Sequence, residues 1–140
     1  MKPRHVVASA TEFHEWTRTR FRGRGFVFQD VDLFASDART GFRPAALVEL
    51  KRSFIPVDEW RPFADDRPNY AALVELAKAV GLPVFVVYFV KGRPVVDASP
   101  LAVFRLDAAL PEYELERELM SAGDFADRFP LPIIRPADVF

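Results

Sequence analysis

Two short stretches carry the side chains most suited to chemistry: Asp30-Val31-Asp32, at the end of an apolar run, and Glu49-Leu50-Lys51, inside the next one. If both runs are strands, alternation puts Phe26, Phe28, Asp30 and Asp32 on one face of the first. Leu47, Glu49 and Lys51 then share a face of the second. Carboxylates on a face meant for burial need compensation, because removing each charge from water costs roughly several kcal/mol. A divalent cation supplies it. A one-residue slip in register would instead turn Glu49 and Lys51 outward as an ordinary surface pair.

The donor inventory narrows the metal. The chain has no cysteine and only His5 and His14, so thiolate sites and histidine-rich clusters are excluded. Oxygen donors remain, and they favour Mg2+, Mn2+ or Ca2+. A cation held by carboxylates can activate water and neutralise charge growing on a phosphate. The chain contains 15 arginines but only 4 lysines, so a lysine in an apolar run beside a glutamate is a marked choice.

The elements around these residues read as an α/β domain with a mixed sheet flanked by helices. Ser9-Ala10-Thr11-Glu12 has capping-box spacing and predicts a first helix over 10–20, ended by Arg22-Gly23-Arg24-Gly25. Strands are expected over 26–35 and 45–52, joined by a turn at 36–41, and a long connection follows over 54–68. Residues 69–80 have a helical period stopped by Gly81 and Pro83, and the β-branched and aromatic run 84–90 suits a strand covered on both faces. Short strands are expected near Val95 and over 101–106, closing helices over 112–120 and 123–129, and an extended tail held by Pro130, Pro132 and Pro136.

An Asp on one strand, Glu-x-Lys on the next, then a helix and a buried strand resembles the PD-(D/E)XK nuclease superfamily. The resemblance covers about residues 10–97 and implies a restriction-endonuclease-like αβββαβ core. It implies Asp32 and Glu49 as ligands of Mg2+ or Mn2+, the backbone carbonyl of Leu50 as a further oxygen, and Lys51 as the group that holds or polarises the attacking water. Asp32 is preferred to Asp30 because apolar Leu33-Phe34 follow it, as in the family pattern. Asp30, Glu15 and Asn69 are candidates for supporting positions, and Glu12 is assigned to helix capping. The family core has three strands after its first helix, with the Asp on the second. Only one strand is evident here between Arg20 and Ser36, so a further short strand is sought within 21–28.

At 140 residues, half of them apolar, the chain reads as one domain able to bury its own core. Its net charge is −1 but unevenly placed. Arg18, Arg20, Arg22 and Arg24 crowd the amino-terminal part and, with Arg52, are candidate phosphate contacts, whereas the last third is acidic. The expected activity is metal-dependent phosphodiester hydrolysis, with DNA favoured over RNA and a homodimer as the form that would cut both strands. The alternative is a catalytically inactive nuclease-like fold serving as a protein or nucleic-acid interaction module. The longest apolar run, 82–90, is well short of the ~20 residues that span a bilayer, which points to a soluble cytoplasmic protein.

Overall fold

A computed structural model describes residues 3–62, 64–106 and 116–131, with the side chains of residues 3–10 and 64 left aside. The chain divides into two compact units, Met1–Asp30 and Val31–Phe140.

The first unit is a helix, α1 (Pro3–Phe21), continued by a short 3-10 turn over Arg22–Arg24. Gly25, at φ 81°, ends it in the left-handed conformation that glycine adopts without steric cost. The helix begins earlier than expected, because proline is well tolerated at a first helical position, so Ser9 and Glu12 are interior residues rather than a capping box. Residues 26–30 form no strand. They are held to the helix by an aromatic contact, Phe21 to Phe28 at 4.9 Å, and Phe21 in turn packs on Trp16 at 5.6 Å. The expected common face of Phe26, Phe28, Asp30 and Asp32 therefore does not exist, and the short strand sought within 21–28 is absent.

Among the described residues, the second unit is built on a five-stranded mixed sheet in the order β1-β2-β3-β4-β5. β1 (Leu33–Asp37) and β2 (Arg43–Ser53) form the expected antiparallel hairpin. α2 (Arg67–Val80) then carries the chain to β3 (Val84–Val90), which lies parallel to β2. Parallel neighbours require such a crossover. β4 (Pro100–Arg105) and β5 (Arg117–Ser121) add antiparallel strands, and α3 (Ala122–Arg128) follows.

Alternation divides the sheet into two apolar faces. Leu47, Val86, Tyr88 and Phe104 pack with Tyr70, Leu73, Val74 and Ala77 of α2. Val48, Phe85, Val87 and Val103 face the other way, toward Phe125 of α3 and Phe129. Trp60 closes the α2 side, stacked on Tyr88 with ring centroids 4.5 Å apart. It anchors the long connection that precedes α2.

Two further expectations are corrected. Residues 91–99 form turns rather than a strand at Val95. Arg117–Ser121 is a strand, because its backbone completes a ladder with β4 in which Glu118 lies opposite Val103. Tertiary pairing outweighs the helix preference of the Glu-Leu-rich sequence. Residues 112–115 of that expected helix, and the tail beyond Leu131, lie outside the described residues. Among the described residues, no helix is long and apolar enough to cross a membrane.

Candidate active site

The site is built where β1 stops and β2 continues. The register pairs Leu33 with Val48, and extending it would set Val31 opposite Leu50. The main chain leaves the ladder instead, and the Asp32 side chain takes its place, with Leu50 N–H donating to Asp32 Oδ2 at 2.8 Å. Asp32 is thus fixed to the edge of β2 by its own carboxylate. Because a strand residue presents its N–H and C=O to the same side, the Leu50 carbonyl also faces this edge beyond the end of β1.

Glu49 and Lys51 alternate onto the α2 face, where Glu49 is only 6% exposed. Two residues of the α2 amino terminus meet them. Asn69 donates its side-chain amide to Glu49 Oε2 at 2.9 Å. Asp66, which immediately precedes the helix, places Oδ2 3.2 Å from Lys51 Nζ, while Glu49 Oε2 is 3.6 Å from the same ammonium. The ammonium also lies 5.7 Å from the centre of the buried Tyr70 ring.

Among the described residues, Glu49 Oε1 is buried with no hydrogen-bond donor. An unsatisfied buried carboxylate oxygen is costly, and the electrostatics reflect it. Burial pushes the Glu49 carboxyl up to about 7, and the negative charge of Asp32 pushes the same way; Lys51 and the Asn69 amide hold it back. The two carboxyl groups can share a hydrogen bond only when one carries a proton. Ionised, Glu49 and Asp32 repel each other, and the Lys51 ammonium offsets part of that repulsion at Glu49.

Among the sequence candidates, Asp32, Glu49, Leu50, Lys51 and Asn69 come together here. Arg52 alternates to the opposite face from Lys51. Asp30 belongs to the first unit, where it pairs with His14 at 3.3 Å rather than joining Asp32 on a strand. Glu15, Arg18, Arg20, Arg22 and Arg24 also belong to that unit, with the Arg24 guanidinium 5.4 Å from the Phe21 ring centre. Asp66 was not anticipated. Its signal is an Asp followed by Arg67-Pro68, the pattern of an N-cap before a proline-started helix, which places it at the same helix end as Asn69.

No protein-family model matches the chain, and neither a curated protein nor a solved structure is significantly similar to it. Among the described residues, no group of three or more His, Cys, Asp or Glu side chains is placed to hold a metal ion. The donor set of the site is two carboxylates and one main-chain carbonyl, all oxygen.

Proposed function

We propose that the chain is a metal-dependent phosphodiesterase, a nuclease of PD-(D/E)XK type acting on DNA. The observation that carries this reading is the buried Oε1 of Glu49, without a donor among the described residues, beside Asp32, with Lys51 on the same strand two residues on. Structural carboxylates are normally satisfied by protein donors. One left without a donor near a second carboxylate fits a hard cation such as Mg2+ or Mn2+. Asp32, Glu49 and the Leu50 carbonyl would hold that ion, and when bound it would supply an activated water and charge neutralisation at the phosphate.

The chain's own groups have distinct roles in this reading. Asn69 orients Glu49 through Oε2, leaving Oε1 for the ion. Lys51 presents a compact positive charge to the attacking water and to the phosphate oxygens. Leu50 N–H keeps Asp32 on the strand edge. The arginines of the first unit offer charge for the nucleic-acid backbone.

Purified protein is incubated with labelled linear, circular and branched DNA in Mg2+, Mn2+ or chelator, beside Asp32→Asn. Cleavage that needs the metal and is lost in the variant supports the proposal; identical products in every lane overturn it.

A second reading has its own observation. The sheet face opposite α2 carries an apolar groove of about 560 Å³, lined by Leu33, Phe34, Leu50, Phe89 and Phe125 among others. Exposed apolar surface of this kind suits a protein-interaction module built on the same sheet. In that case Asp32→Asn leaves partner binding unchanged.

A further inference from the structure

We propose that Asp66 is a positioning residue whose carboxylate holds the Lys51 ammonium, so that a divalent cation can occupy Glu49 and Asp32 while the lysine stays at the site. The proposal rests on the metal-site reading above. Lys51 Nζ lies between two carboxylates, 3.6 Å from Glu49 Oε2 and 3.2 Å from Asp66 Oδ2. A cation bound at Glu49 repels the ammonium. Without a second anchor the lysine must either compete with the metal for Glu49 or swing away into solvent. Asp66 is that anchor, and it comes from a different element, the amino terminus of α2.

A second observation concerns what Asp66 does not do. It occupies the N-cap position of α2, where an Asp side chain ordinarily accepts a hydrogen bond from the first-turn N–H groups, yet it makes no such bond. Its carboxylate is turned toward Lys51 instead. Pro68 in the first turn removes one of the N–H donors that a cap would satisfy, which lowers the cost of that choice. Asn69, one turn further on, holds Glu49 from the same helix end. The start of α2 therefore sets both partners of the Glu49–Lys51 pair.

The test is Mn2+ binding by calorimetric titration, with no turnover involved, on wild type, Asp66→Asn, Lys51→Met and the double variant. Asp66→Ser serves as a second charge-removing variant and Asp66→Glu as the conservative one; circular dichroism checks folding. Asn and Ser both suit an N-cap, so the helix start is preserved. The expected result is about tenfold weaker Mn2+ binding in Asp66→Asn and Asp66→Ser, with Asp66→Glu closer to wild type. In the Lys51→Met background the same Asp66 change should have little effect. Equal weakening in both backgrounds would make Asp66 a direct ligand or a remote charge and overturn the proposal, as would wild-type affinity in Asp66→Asn. Wild-type protein that binds no Mn2+ overturns the metal-site reading and this proposal together. Binding that is lost in Asp32→Asn yet unchanged in Asp66→Asn overturns only this one.

Discussion

Asn69 satisfies one oxygen of Glu49, at 2.9 Å, and the other oxygen is buried with no donor among the described residues. Burial, and next the negative charge of Asp32, raise this carboxyl from the ordinary 4.5 to about 7, and the single Asn69 donor only partly opposes them. A core position selected only for stability would carry a neutral or fully paired side chain. The consequences can be measured.

The first concerns pH in metal-free protein. The folded chain binds the Glu49 proton more tightly than the unfolded chain, so this group's stabilising contribution is complete below about 4.5 and is lost as pH rises toward about 7. In Glu49→Gln the loss disappears. At pH 8 in chelator, denaturant unfolding should show Glu49→Gln more stable than wild type by on the order of 2–3 kcal/mol, with the gap closing below pH 5. A gap independent of pH would refute the assignment.

The same proton competes with metal. Mn2+ at a hundred times its Kd should stabilise wild type by about 2.7 kcal/mol, and the Kd itself should fall between pH 6 and pH 8. Thermal melts with and without Mn2+ check this. Asp32→Asn and Glu49→Gln should each lose the shift.

Lys51→Met keeps the aliphatic stem and removes the charge. It should fold as wild type and reduce DNA cleavage by about 10²–10⁴-fold. Single-turnover assays at saturating metal separate this from a change in metal affinity.

Trp60→Ala should destabilise the protein by about 3–5 kcal/mol, since the ring is buried and stacked on Tyr88. The Tyr88 hydroxyl donates to the Ile55 carbonyl at 2.6 Å, so both aromatics pin the connection that ends in Asp66. Hydrogen exchange over 54–66 should rise more than over β4.

Replacing Arg18, Arg20, Arg22 and Arg24 together with Gln should weaken DNA binding and flatten its salt dependence. The slope of log K against log salt should shrink by up to about 0.9 per arginine that meets a phosphate. Fluorescence anisotropy across a salt series reads it.

Much of the β2-α2-β3 unit was legible because each signal agreed with its neighbours. The apolar run around Glu49 and Lys51, the helical period of Tyr70, Leu73, Val74 and Ala77, and the β-branched run of 84–90 all matched their final environments. Residues 26–30 have the composition of a strand but form none, because aromatic and β-branched residues make a strand only where a partner ladder exists, and the Asp32 side chain ends that ladder early. The strand at 117–121 was hidden for the converse reason, since pairing with β4 is a long-range event that local preference does not encode. Within the site, period-2 alternation located Glu49 and Lys51, but the contact of Asp66 with Lys51 spans a loop whose path no spacing rule specifies.

Glu49, Leu50 and Lys51 sit on a strand gripped by β3 along one edge, in the register Glu49 to Val86 and Lys51 to Tyr88, and by β1 over its first half. The Glu49 and Lys51 amides lie on the β3 side and should exchange only when the sheet opens, whereas the Leu50 N–H, held by the Asp32 side chain alone, should exchange whenever Asp32 lets go. Any adjustment needed to admit or discharge a ligand must then come from Asp32 and Asp66, which hang at the ends of their elements. The protein would thus work as a fixed anvil with two adjustable jaws.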